Sequence, residues 1–350
     1  KVMTNAEKIL KIRELELKGK KVNHGLEEFL NEQRCLPLLL KQDYNKWKNK
    51  RYLQYMKTKI YLIEIEKVLE ELKSVDYAIF KGFIYSKHAY NYISMRMFGD
   101  IDLLVDISDI TGIKDVLLNL GYDEQYRNVD GIWEKYSRQN ILFYQMMTHQ
   151  LAPFSKALES NICSNICLDV NYQLMWGESK KKINMRKFLS HTKIEVIEGI
   201  PIKVLLPVYE LVAVCLHLYK DMNSIVMLYN KGNLWLTPLY DLYRWLENNK
   251  ISYCDLKNVC EEFLVTEYVY FCCYHVSLLF ESEPAKKILG ILENDKGINL
   301  IRQYGLQDSE KKEWKVCFEA RLFDQEFKKH FYEMLNQNEK KQIKINSLYL

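Results

Sequence analysis

Residues 96–105 read Arg96-Met97-Phe98-Gly99-Asp100-Ile101-Asp102-Leu103-Leu104-Val105. Two carboxylates stand two positions apart in an otherwise apolar run. On an extended strand alternate side chains share a face, so Asp100 and Asp102 lie on one side, roughly 6–7 Å apart along the backbone. Packing alone gives no reason for two acids on one face of such a strand. Carboxylates at this spacing can share divalent cations, and Mg²⁺ favours a few carboxylates together with substrate phosphates. The stretch therefore points to metal-assisted chemistry on a phosphate. Gly99, just before the pair, lets another group approach closely.

Three further features gather around it. Tyr77-Ala-Ile-Phe80 is short and apolar, the pattern of a buried strand, and it runs straight into Lys81-Gly82. A helix opening at that Gly presents free backbone N–H groups that attract phosphate, and Lys81 adds a positive charge. Asp169 stands in the strand-like run Ile166-Cys-Leu-Asp-Val-Asn-Tyr172. An isolated acid there needs a partner or a metal. It either completes a three-carboxylate site, as proton acceptor or metal ligand, or is a hydrogen-bonded core residue. Arg96 is placed either to neutralise phosphate or to pair with one of the acids.

Outward from this region the pattern is mixed. Residues 49–73 read as one amphipathic helix, with Leu53, Met56, Ile60, Ile63, Val68 and Leu72 as the apolar row. Residues 83–92 and Thr111–Leu120 are helical, the second closed by Gly121. Residues 122–147 suggest two or three strands, with turns at Asn128–Gly131 and Arg138–Asn140. Residues 193–204 form a hairpin about Glu198-Gly199. Beyond Pro207 the pattern is helical: Val208–Lys220, Leu236–Glu247, Lys257–Phe280, Glu283–Leu292 and Lys311–Asn336. At the start, Ala6–Leu17 and a segment opening at Asn23 are helical, and Pro37 interrupts the segment after Leu30. The expected fold class is α+β, a small mixed sheet with flanking helices plus a C-terminal helical domain. The expected divisions are a helical accessory region at 1–48, an α/β core at 49–206 and a helical domain at 207–350.

Composition sets bounds. The chain has 350 residues, 48% hydrophobic and 27% charged, enough for two domains with a sizeable core. Fifty basic and 46 acidic residues leave a net charge of +4, which gives no general reason to expect a nucleic-acid partner. The nine cysteines, including Cys163/Cys167 and Cys272-Cys273, lack zinc spacing and read as free thiols in a reducing, cytoplasmic compartment. No leader and no membrane span are expected.

The order strand, Lys81-Gly82, helix, Arg96-x3-Asp100-Ile-Asp102-Leu-Leu-Val105, helix, Leu120-Gly-Tyr122, then Leu168-Asp-Val-Asn-Tyr172 resembles the uncharacterised nucleotidyltransferase family of the DNA polymerase β-like superfamily. Leu216-His-Leu-Tyr-Lys220 and Leu239-Tyr-Asp-Leu-Tyr243 are similar to its helical-domain signatures. The resemblance covers roughly residues 50–250. It implies a polymerase β-like nucleotidyltransferase core in which Asp100 and Asp102 hold two Mg²⁺ (or Mn²⁺) ions, Asp169 is the third acid, and Lys81 and Gly82 lie beside the triphosphate. The third strand reads Asp-Val-Asn-Tyr where the family has an Asp-Leu-His-Trp-like run.

The expected function is Mg²⁺-dependent transfer of a nucleoside monophosphate, AMP from ATP, to a hydroxyl of a small molecule or peptide. Alternatives are a catalytically silent nucleotide- or peptide-binding module and a toxin-type transferase acting on tRNA or protein. Nucleic acid is not the favoured acceptor. His149, His217, Lys220 and Asp241 are polar residues that either face the site or serve packing. The Tyr and Trp residues of 235–245 read as helix core.

Overall fold

The computed structural model describes residues 3–231 and 236–346. They form two compact units. One is continuous, Lys50–Ala213; the other joins Lys1–Asn49 to Val214–Leu350. The chain passes between them within two helices.

Helix α1 (Asn5–Lys18) starts on a reciprocal capping box between Thr4 and Glu7 and stops at Gly19, which is left-handed. Helix α2 (His24–Glu32) is capped by the Asn23 side chain. Pro37 does not interrupt the next segment but opens α3 (Leu36–Gln42), where its missing N–H falls on a group with no helical partner anyway. Helix α4 (Tyr44–Glu71) is longer than the pattern suggested; of the expected apolar row Val68 and Leu72 are buried, and the rest of the buried face is different. Gln54, Thr58, Tyr61, Ile65, Val68 and Leu72 face inward at spacings of four and three, while Leu53 and Ile63 are more than half exposed. Buried Thr58 is satisfied by donating to the Gln54 carbonyl at 2.7 Å, which makes a polar residue tolerable in that row.

The continuous unit holds an eight-stranded mixed sheet. In chain order its elements are β1 (Tyr77–Phe80), α5 (Gly82–Tyr90), β2 (Ile101–Val105), α6 (Ile110–Asn119), β3 (Asp123–Arg127), β4 (Trp133–Lys135), α7 (Arg138–Phe143), β5 (Phe154–Ala157), β6 (Asn165–Asn171), α8 (Met185–Leu189), β7 (Thr192–Ile197) and β8 (Ile200–Leu205). Spatial order is β4-β3-β5-β6-β2-β1-β8-β7. The β2/β6 and β1/β8 pairs are parallel and the others antiparallel. The expected turn at Arg138–Asn140 is instead the start of α7, because Ser137 caps it by accepting from the Asn140 N–H. A single π-helical turn, Tyr144–Thr148, continues from it.

The sheet has two unlike faces. Ile101, Leu103 and Val105 of β2, with Leu168 and Val170 of β6 and Ile79 of β1, enter one apolar core with residues of α4 and α5. Residues one position along point the other way. On β6 this gives strict alternation: Ile166, Leu168 and Val170 are buried, while Cys167, Asp169 and Asn171 are half-buried.

The second unit adds α9 (Pro207–Asn223), α10 (Ile225–Lys231), α11 (Leu236–Asn248), α12 (Tyr253–Glu262), α13 (Thr266–Phe280), α14 (Glu283–Ile291) and α15 (Asp295–Leu300). The expected single helix 257–280 is two, broken where Leu264 takes a left-handed φ of 53°. The expected helix 311–336 is also broken. Lys312–Glu313 pairs with Gln303–Tyr304 as a two-stranded ladder, and short helices follow at Phe318–Leu322 and Phe327–Met334. Tyr240 and Trp245 of α11 are fully buried, as expected; Trp235 lies outside the described residues. All nine cysteines are free, six of them buried. No helix among the described residues is long and apolar enough to cross a membrane.

Candidate active site

Asp102 and Asp169 are Cα partners on the adjacent parallel strands β2 and β6. Partnered residues share a face, so both carboxylates rise from the side opposite the apolar core. Asp100 precedes β2 by one residue and is half-buried. The turn that delivers it is held from α4: the Tyr61 hydroxyl donates to the Gly99 carbonyl at 2.9 Å, and Lys57 Nζ to the Phe98 carbonyl at 3.1 Å.

Asp102 is only 4% exposed. Lys81 Nζ meets its Oδ1 at 2.7 Å, and Asn171 Nδ2 donates to the same oxygen at 3.4 Å. Burial pushes the Asp102 carboxyl above the usual carboxylate range; the Lys81 ammonium opposes this, Asp100 adds to it and Arg96 opposes it. Three ionisable groups predicted from the sequence, Lys81, Arg96 and Asp100, thus all act on the fourth, Asp102.

The β1–α5 turn carries unusual backbone. Lys81 has φ 58° and ψ −151°, a region that side chains with a Cβ seldom occupy, and Gly82 follows at φ 48°. Strain of this kind, of order 1–3 kcal/mol, persists where the surroundings fix it, often at functional sites. The result aims the Lys81 side chain at Asp102 and opens α5 without a side-chain cap. The first backbone N–H groups of that helix have no helical partners and carry the positive end of its dipole.

Arg96 is positioned by Ser86, which is fully buried in α5. The Ser86 hydroxyl accepts from the Met95 and Arg96 N–H groups at 3.0 and 3.1 Å and donates to the Tyr92 carbonyl at 2.6 Å. One side chain thereby folds the segment that leads into the acidic strand.

Several site residues escape the sequence reading. Cys167, two positions before Asp169, lies on the acid-bearing face with its Sγ 3.9 Å from Asp169 Oδ1. Its thiol is pushed up by burial and then by Asp169, Asp100 and Asp102, so it senses all three acids. Period-two alternation on β6 is the signal that could have found it. Tyr136 and Tyr144 have no such signal. Their rings meet edge to face at 5.5 Å, and Tyr126 extends the row at 5.1 Å. Burial, then in part the charge of Asp169, pushes the Tyr144 phenol up to about 12. Tyr136 is raised by the same two influences together with its Tyr144 contact.

His149 follows the π-helical turn with a left-handed φ of 55°. Its Nδ1 bonds the Met175 carbonyl at 3.0 Å and its own carbonyl accepts from Tyr172 N, so it ties this segment to the end of β6. His217, Lys220 and Asp241 belong to the other unit. His217 Nε2 and Lys220 Nζ both meet Asp221, at 3.4 and 3.0 Å, and Asp241 is 1% exposed. Among the described residues no three Asp, Glu, His or Cys side chains converge as a ready-made metal cage.

The site thus joins acids in register on one face of a mixed sheet to a strained strand-to-helix turn. The family model described as uncharacterised nucleotidyltransferase matches residues 28–281, well over half of the chain, and the protein belongs to that family. No curated protein matches it.

Proposed function

We propose that the protein has a polymerase β-like nucleotidyltransferase core and transfers a nucleoside monophosphate, AMP from ATP, to a hydroxyl of a small molecule or peptide. The observation that carries this reading is the register of Asp102 with Asp169 on neighbouring parallel strands, with Lys81 paired to Asp102, in a chain of a nucleotidyltransferase family.

The donor set suits a hard cation. Mg²⁺ needs only one or two carboxylates, taking its remaining ligands from water and substrate phosphates, so a three-donor protein cage is not required. Asp100 and Asp102 would hold two Mg²⁺ or Mn²⁺ ions, with Asp169 as the third acid. Bound cations would supply charge neutralisation at the α-phosphate and the leaving pyrophosphate. Asp169 would accept the proton of the attacking hydroxyl. The uncapped N–H groups at Gly82, with Lys81, would lie against the triphosphate. Until a cation arrives, the Lys81 ammonium compensates the buried Asp102 carboxylate. Arg96 would neutralise phosphate charge.

The test is pyrophosphate release from each NTP with Mg²⁺ or Mn²⁺ across candidate acceptors. Asp100→Ala and Asp102→Ala should each abolish it; release unchanged in both variants would remove this reading. The Lys81–Asp102 pair also favours a second reading, a catalytically silent nucleotide-binding module, since an ammonium already fills a cation's role there. Calorimetry with NTP and Mg²⁺ separates the two: binding without turnover on any acceptor supports the silent module.

A further inference from the structure

Away from the acidic face, the helical unit contains a cavity of about 250 Å³ formed by α13, α15 and the segment 303–311. Six polar residues line it: Glu267, Lys296, Asn299, Gln303, Asp308 and Lys311. The Tyr268 ring and Leu300 supply its apolar wall. Most of this lining follows residue 281, past the stretch shared with the family, so the cavity is built largely by chain that the family match does not describe.

One side of the cavity is tied together by its own hydrogen bonds. Lys311 Nζ meets the Tyr219 hydroxyl at 2.9 Å, the Gly305 carbonyl at 3.0 Å and Asp308 Oδ1 at 3.3 Å. Those three contacts use all three ammonium donors. The Tyr219 ring packs on Tyr268 at 4.6 Å, and Gly305 N–H donates to the Asn223 carbonyl at 2.9 Å. Glu267 and Asp308 both act on Lys311 and on the Tyr268 phenol, which places the two acids on this side.

The remaining lining is different. Lys296 and Asn299 are exposed and Glu267 and Gln303 half-buried, so solvent reaches their polar groups where no hydrogen bond among the described residues does. A cation and two amides without hydrogen bonds among the described residues therefore border the same space as the Glu267 carboxylate, whose charge also acts on Lys311. The formal charges of the lining cancel, with Lys296 and Lys311 against Glu267 and Asp308.

We propose that this cavity is a second binding site and that its ligand is a small zwitterion, an α-amino acid, with its carboxylate at Lys296 and the Asn299 and Gln303 amides and its ammonium at Glu267. A net-neutral lining disfavours a simple anion or cation, either of which would leave one lining charge uncompensated. The volume equals about eight waters at roughly 30 Å³ each, the scale of an amino acid and below that of a nucleotide or drug-sized ligand.

The test uses the full chain without NTP. The standard L-amino acids are titrated by calorimetry, with acetate and ethylamine as single-charge probes. At least one amino acid should bind, and neither single-charge probe should compete with it. Lys296→Ala and Glu267→Gln should each weaken that binding by about tenfold or more, while ligand-free melting temperature and circular dichroism stay unchanged. Lys296 is exposed and Glu267 half-buried, neither with a hydrogen bond to lose, so both variants are expected to fold. Absence of binding by every amino acid, equal competition by acetate or ethylamine, or loss in fewer than both variants would overturn the proposal.

Discussion

Lys81 Nζ and Asp102 Oδ1 lie 2.7 Å apart with both side chains almost wholly out of water, and Lys81 holds a glycine-like backbone conformation to make that contact. Removing one partner of such a pair leaves an uncompensated buried charge, which costs about 3–5 kcal/mol where it cannot neutralise. Lys81→Ala should therefore lose about 3 kcal/mol of stability in urea denaturation. Lys81→Ala with Asp102→Asn should be more stable than Lys81→Ala alone, because no buried charge remains. Lys81→Gly should exceed Lys81→Ala by about 1 kcal/mol, since glycine accepts this φ and ψ without strain. Equal stability of the Gly and Ala variants would show that the backbone is not strained there.

Ser86 makes three hydrogen bonds from a fully buried hydroxyl. Ser86→Ala leaves the Met95 and Arg96 N–H groups without that acceptor, at a cost of about 1–3 kcal/mol. Hydrogen exchange at those two amides should accelerate, while exchange in the centre of β2 stays protected. Unchanged protection at Met95 and Arg96 would show that Ser86 does not position the segment.

Gly177 is a case of close approach. A Cβ built on it would stand 2.6 Å from the Met146 carbonyl oxygen, inside the π-helical turn that begins at Tyr144. Backbone cannot yield as a flexible side-chain end can, so Gly177→Ala must displace that turn. Loss of about 1–3 kcal/mol is expected, together with altered chemical shifts at Tyr144 and Asp169. Gly82→Ala is the contrasting case. Its nearest neighbours would be at 3.7 Å, so its cost is backbone strain alone, about 1–2 kcal/mol.

Two histidines, one in each unit, should respond to pH with opposite sign. In the helical unit His275 is buried and its Nδ1 bonds the Phe271 carbonyl at 2.8 Å; burial, aided by Arg321, lowers its pKa to about 3. Between about pH 6.5 and 3 the unfolded chain binds a proton there that the folded chain does not. Its contribution is full above about pH 6.5 and is lost as pH falls, at up to about 1.4 kcal/mol per unit. His275→Gln should flatten that acid limb in hydrogen exchange of α13.

In the sheet unit His88 sits between Glu210 Oε2 at 2.7 Å and Glu195 Oε2 at 3.1 Å. Burial alone would lower its pKa, but the two carboxylates outweigh burial and raise it. Burial likewise opposes the charge of Glu195, yet His88, Lys87 and Lys193 bring its pKa down to about 2. The His88 contribution is full below its unfolded pKa near 6.5 and is lost as pH rises through the raised folded value. The opening free energy of α5, taken from hydrogen exchange after correction for the intrinsic base-catalysed rate, should therefore fall toward alkaline pH, and His88→Gln should remove that fall.

How far the sequence reveals this site depends on the range of the interactions that build it. Strands β1, β2 and β6 and the hairpin at Glu198-Gly199 follow from period-two patterns and local turn residues, which act within a few positions. The face of α4 does not, because buried Gln54 and Thr58 break the apolar count while exposed Leu53 and Ile63 inflate it. The helix at Arg138–Phe143 depends on one Ser137 cap, weaker in a pattern than the aromatic residues around it. The acids themselves are legible as residues, but the register that sets Asp102 beside Asp169 is fixed by strand order. So are the positions of Tyr136 and Tyr144, which come from a different part of the chain.

The division of the chain also has a consequence for biosynthesis. The sheet unit is one uninterrupted segment, Lys50–Ala213, whereas the other unit needs both Lys1–Asn49 and Val214–Leu350. Arg13 on α1, for example, donates to the carbonyls of Leu278 and Leu279 at 2.6 Å. During translation, domains fold as their residues emerge. The acidic site can therefore mature on the ribosome while α1–α3 still wait for their partners, so a segment made before the sheet settles after it.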